Sequence, residues 1–152
     1  SIQGGYSSTT SLTENGLEFF RGQSGWLTQL NGQVFQFSYL PSQISEVEIL
    51  GEHSLVDYSG KTLYFANDLE NSKRLGVLQN LNNYILRQQS ACLDPIPCGD
   101  DIPVKSCDGV DPLIIFEEGE HSQVRKEGVC VYLTGDIALA TDAFLYRILG
   151  VN

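Results

Sequence analysis

Residues 92–130 read CLDPIPCGDDIPVKSCDGVDPLIIFEEGEHSQVRKEGVC, and this stretch decides how the chain is put together. It holds all four cysteines, spaced C-x5-C-x8-C-x22-C, and four of the five prolines. Asp94, Asp100, Asp101, Asp108 and Asp111 lie among them. Zinc sites use closely spaced cysteine pairs, and thioredoxin-type chemistry and haem attachment each need C-x-x-C. None of these spacings occurs here. An even cysteine count without those motifs reads as two disulfides. Three pairings are open on spacing alone. Our expectation is that Cys92 joins Cys98 at the exit of a helix, while Cys107 joins Cys130 and pins the loop to a late strand. Asp108 and Asp111 are the calcium candidates, since calcium takes carboxylate and carbonyl oxygens, but the regular EF-hand spacing is missing. A solvated acidic loop is the competing reading, and no other cofactor is implied.

On either side of this stretch the chain has the length of one ordinary domain. Its 152 residues are 41% hydrophobic, enough to bury a core. Nineteen acidic residues against nine basic ones give a formal charge of −10. That charge disfavours nucleic acid and anionic membrane as partners, and no basic patch offsets it. The chain begins at Ser1 and contains no methionine. Together with the cysteines, this leads us to expect an exported protein whose upstream signal or membrane anchor is removed.

Residues 1–15, SIQGGYSSTTSLTEN, are rich in Gly, Ser and Thr and read as a flexible leader. The same composition suits an extended strand lent to a neighbour, with Ile2, Tyr6 and Leu12 as the assembly candidates. Residues 16–152 read as a single domain. Strands are expected at Leu17–Phe20, Trp26–Leu30, Val34–Leu40, Val47–Leu50, Leu55–Tyr58 and Thr62–Phe65, forming an antiparallel meander. Asn31-Gly32 is its strongest hairpin signal. A long helix is expected from Asn67 or Asp68 to near Ser90, because Leu75, Leu78, Leu81 and Ile85 recur at helical spacing. On that helix Gln79, Asn80, Asn82, Asn83 and Arg87 would face outward. Leu113–Phe116 and Val129–Leu133 read as a hairpin around a charged turn. A closing helix would run from the Asp136 cap to Leu149, with Gly150 beyond it.

Catalytic signatures are thin. His53 and His121 sit in polar turns beside glutamates, and no nucleophile elbow, P-loop or dinucleotide fingerprint is present. Glu117, Glu118 and Glu120 are the carboxylates a hydrolase would need, but they fall in a charged turn. Trp26 and the neighbouring aromatics could stack sugars, although such residues more often build the core between sheet and helix.

The stretches Gly25-Trp26, Asn31-Gly32, Phe35-x-Phe37 and Tyr39-Leu40-Pro41-Ser42 resemble uncharacterised exported or membrane-anchored proteins from archaea. So do Cys107, Gly128-x-Cys130, Gly135-Asp136 and the segment from Leu145 to Gly150. The resemblance implies a life outside the cytoplasm and an anchor or signal upstream; it brings no activity and no catalytic residues.

The expected fold is α+β: an antiparallel meander on a long helix, a disulfide-bonded crossover, a hairpin and a C-terminal helix. The expected function is an extracellular structural or interaction subunit that self-assembles, in a filament or coat at the cell surface. A secreted module binding carbohydrate or calcium is the alternative, and an acid-residue hydrolase stands behind both.

Overall fold

The computed structural model describes the backbone of residues 6–151 and the side chains of residues 10–151. The fold is α+β, built in four layers. The first is an antiparallel meander of β1 (Tyr6–Glu14), β2 (Leu17–Gly22), β3 (Trp26–Leu30) and β4 (Gln33–Phe37). Two-residue Asn-Gly turns make two of its three connections. Asn31 (φ 53°) and Gly32 (φ 79°) join β3 to β4, and Asn15 (φ 51°) and Gly16 (φ 79°) join β1 to β2. Both residues of such a turn need positive φ, which Asn and Gly tolerate best. The Asn15-Gly16 turn therefore folds Tyr6–Glu14 back onto the chain's own β2, in place of the expected leader or lent strand, while residues 1–5 of that segment lie outside the described residues.

The second layer is helical and shorter than the periodicity implied. The expected helix from 67 to 90 is reduced to α1, Leu75–Leu81. Asn67 and Asn71 both take φ 62°, which a helix cannot accommodate. The intervening chain instead wraps round Asp68, whose carboxylate accepts the N–H groups of Ser72, Lys73 and Arg74 at 3.1, 2.8 and 3.0 Å. Arg74 is buried beside it. Its Nε donates to Asp68 at 2.8 Å, while its other nitrogens reach the Asp68 carbonyl, Gln88 and Ser90. The second helix, α2 (Ile137–Ile148), matches expectation: Asp136 caps its start, accepting from the Leu139 N–H at 3.2 Å. Gly150 (φ 80°) ends it, with Val151 N–H donating back to the Tyr146 carbonyl at 2.8 Å. Residues Ala140–Tyr146 are all buried, as in a helix with structure on both sides.

The third layer is a mixed six-stranded sheet in the order β5-β11-β12-β10-β6-β7. Its strands are β5 (Glu48–Ile49), β6 (Thr62–Ala66), β7 (Arg87–Ser90), β10 (Leu113–Glu117), β11 (Gln123–Glu127) and β12 (Cys130–Thr134). Three expectations are corrected here. The strand at Thr62–Phe65 belongs to this sheet and runs parallel to β10, and Glu48–Ile49 pairs with β11, so the meander ends at β4. Leu55–Asp57 is a 3₁₀ turn rather than a strand. The two strands expected as a hairpin, β10 and β12, are parallel neighbours. The charged turn between them supplies β11, which forms the actual hairpin with β12.

The central sheet is covered on both faces, as parallel strands generally are. Leu63, Phe65, Ile114, Phe116, Val131 and Leu133 face the helices and the meander in one large core. Tyr64, Ala66, Leu113, Ile115 and Cys130 face the fourth layer, a small lobe carrying β8 (Cys92–Leu93) and β9 (Val104–Lys105). That lobe is tied by the Cys92–Cys98 and Cys107–Cys130 disulfides, the expected pairing. No helix among the described residues is long and apolar enough to cross a membrane.

Candidate functional site: an open sheet edge and an interlayer cleft

Sheet edges expose unpaired N–H and C=O groups, and among the described residues three of the four edges of the two larger sheets are guarded. The outer edge of β4 is covered by α1. The Asn80 side chain accepts the Gln36 N–H at 3.0 Å and donates to the Gln36 carbonyl at 2.8 Å, so its amide stands in for a fifth strand. Asn80 is buried by this contact, against the expectation that it faces outward. At the edges of the central sheet, β5 is two residues long and β7 is four residues long with Arg87 at its start. The outer edge of β1 is different. It runs for nine residues without proline or charge before Glu14, with a register shift against β2 between Tyr6 and Ser11, and among the described residues no strand pairs with it. Glu14 itself is turned aside, accepting from the Ser42 N–H and hydroxyl at 2.9 and 2.8 Å.

The hairpin fixes which groups of β1 point outward. Glu14 and Leu17 flank the two-residue turn and face each other across the ladder, as do Thr13 and Glu18 one step on. Hydrogen-bonded and non-hydrogen-bonded pairs alternate from the turn, so the Thr13 and Ser11 backbone groups point away from β2. The Ser11 and Thr13 side chains are exposed, whereas Leu12 packs on the large core. Of the assembly candidates, Leu12 therefore faces inward. Tyr6 opens β1 opposite Gly22, and Ile2 lies outside the described residues.

The second feature is a cleft of about 400 Å³ between α1 and α2, beside the exit of β4. Asp142 lies on its wall and is 5% exposed. Its Oδ2 accepts the Tyr39 N–H at 2.9 Å, and Ser38 supplies another backbone donor. Burial raises the Asp142 carboxyl to about 7, against the opposing pull of those two N–H groups, and Asp136 adds to the rise. Lys73 lines the same cleft, its Nζ donating to the Asn67 carbonyl at 3.3 Å. Asp142 escaped the sequence reading. The available signal was a lone acid in the apolar run ALATDAFL, flanked by positions that had to be buried.

The other candidates are placed as follows. Asp111 pairs with Lys105 at 2.9 Å and Asp108 is exposed. Among the described residues no three metal-ligating side chains converge. Glu118 and Glu120 are exposed, while Glu117 accepts from Arg125 at 2.5 Å and from Thr134 at 2.8 Å. Partial burial pushes the Glu117 carboxyl up, but those donors outweigh it and hold it below the usual carboxylate range. The structure does not bring these glutamates together. His53 packs edge-on against Phe144 and its Nε2 lies 2.8 Å from the Leu50 carbonyl; burial lowers its pKa. Phe19, Phe35, Phe37, Tyr58 and Phe65 are core, and the Arg21 guanidinium lies over the Trp26 ring at 5.4 Å.

Two closed disulfides point to an oxidising environment. No protein-family model matches the chain, and no curated protein or solved structure matches it either.

Proposed function

We propose that the protein is an extracellular structural subunit that self-assembles through the outer edge of β1. The observation that carries this reading is the asymmetry among the sheet edges. Asn80 caps β4, and β5 and β7 are short, while β1 is long, uncharged from Tyr6 to Thr13 and, among the described residues, unpaired on its outer side. A long open edge is a template for another strand, because main-chain hydrogen bonds supply the attraction and side chains set the register. The chain carries a charge of −10, so copies repel one another over most of their surface. The uncharged run from Tyr6 to Thr13 is where that repulsion is least. The disulfide-tied lobe suits a protein that must persist outside the cell, and the resemblance to exported archaeal proteins agrees with that setting.

The reading is tested by the mass and shape of the native, unreduced protein, measured by light scattering and negative-stain microscopy over a range of concentrations. Dimers, fibres or sheets whose mass rises with concentration are expected. A monomer at every concentration would contradict it.

A further inference from the structure

The cleft between α1 and α2 holds two opposite charges that do not meet. Asp142 is buried, and among the described residues no basic side chain pairs with it. Lys73, exposed at the rim of the same cleft, donates to the Asn67 carbonyl and among the described residues pairs with no acidic side chain. A buried carboxylate is costly without a cation beside it, so folds usually supply one. This fold supplies two backbone N–H donors instead, from the chain at Ser38 and Tyr39, and no cation. Fastening β4 to α2 thus satisfies the oxygens of Asp142 but leaves its charge without a counter-ion.

The rest of the cleft is suited to a small ligand. Leu75 and Ile137 give it apolar walls, and Leu75 is 61% exposed, a large aliphatic face turned to solvent at the rim. Gln79 and Ser38 add polar groups. The volume of about 400 Å³ falls in the range of small-molecule sites.

We propose that this cleft binds a small zwitterion of the amino-acid type, its ammonium on Asp142, its carboxylate on Lys73 and an aliphatic or aromatic side chain along Leu75 and Ile137. Such a ligand gives the buried Asp142 the cation it lacks and offers the exposed Lys73 an anion at the rim. An amine alone would leave Lys73 unpaired, and a carboxylate alone would meet Asp142.

The test uses the full, unreduced chain labelled with ¹⁵N and titrated separately with leucine, valine and phenylalanine. Isoamylamine and 4-methylpentanoate serve as the leucine analogues that lack one charge each. At least one amino acid should shift the amide signals of Gly76, Ala138 and Thr141 saturably and more tightly than either analogue. Asp142→Asn and Lys73→Gln should each weaken that binding about tenfold or more, as expected for loss of a charged hydrogen bond. The dispersion of each variant's spectrum reports that it is folded, and Asp142→Asn keeps one acceptor oxygen for the Tyr39 N–H. The proposal is overturned if none of the three amino acids gives a saturable shift, if isoamylamine binds as well as leucine, or if the folded variants bind as the parent does.

Discussion

The carboxylate of Asp142 accepts the backbone N–H of Tyr39 at 2.9 Å, joining α2 to the chain leaving β4 across 103 residues of sequence. One turn along the same helix, the Tyr146 hydroxyl donates to the Tyr39 carbonyl at 2.6 Å, and its ring stacks on Phe37 with centroids 4.0 Å apart. The meander and the helical layer are therefore held by polar contacts as well as by the core.

Burial of Asp142, which outweighs the pull of its backbone donors, gives stability a pH dependence of defined sign. The folded pKa of Asp142, about 7, lies above its unfolded value, so the folded state binds the extra proton between the two. Its contribution is fully present below the unfolded pKa and is lost as pH rises through about 7, at a slope of about 1.4 kcal/mol per pH unit. Asp136 and the Tyr146 hydroxyl face the same carboxyl, and Lys73 stands at the cleft rim. Asp142→Asn should flatten this slope and raise the melting temperature above pH 7. Denaturant unfolding at pH 5 and pH 8 checks it; an unchanged difference between the two pH values would contradict it.

Asn80→Ala should destabilise the fold by about 1–3 kcal/mol, because the Gln36 N–H and C=O both lose their partner at a partly buried edge. It also opens a second sheet edge. Chemical denaturation and light scattering together test this, and the expected pair of results is lower stability with increased association.

Arg74→Ala should cost more, about 3–5 kcal/mol. Burial pushes the Asp68 carboxyl up, and the hydrogen bond from Arg74 with the N–H groups of Lys73 and Arg74 pulls it below its ordinary value. Removing the guanidinium leaves Asp68 buried with fewer donors and uncovers the Phe65 ring beneath it, whose centroid lies 5.0 Å from the Arg74 Cζ. Unfolding of the variant measured by circular dichroism should show this loss near neutral pH.

Replacing Cys107 and Cys130 together by serine should lower stability by about 2–4 kcal/mol. The loss of this tie also loosens the cover over Tyr64, Leu113 and Ile115. Increased binding of an apolar dye, with the far-ultraviolet signal retained, is the expected result. Gly128→Ala should weaken the same junction, since Gly128 has φ 59° and an added Cβ would collide with the Cys107 carbonyl.

The elements with strong local chemistry were legible in the sequence. Asn31-Gly32, the Asp136 cap with Gly150, the core aromatics and the disulfide pairing all appear as expected. Asn15-Gly16 carried the same turn signal as Asn31-Gly32, but the Ser- and Thr-rich segment before it lacked the apolar alternation that marks a strand. Strand β7, Arg-Gln-Gln-Ser, is polar because it lies at an exposed edge, and its residues read as the end of a helix. Strand β11 hid in a charged turn because Val124 is its only fully inward residue, while Arg125 stacks over Tyr132 at 3.9 Å. Asp142 and Asn80 were missed for a related reason. Each is a polar residue buried by a partner remote in sequence, which local pattern cannot supply.

The measurement that bears most directly on the central claim is the native mass of the unreduced protein beside that of Thr13→Pro. Proline at this position removes an outward N–H and leaves the bonds between β1 and β2 in place. The parent chain should form dimers or larger assemblies, and the variant should be monomeric with an unchanged circular dichroism spectrum. Equal assembly of the two, or a parent that stays monomeric throughout, would contradict the account.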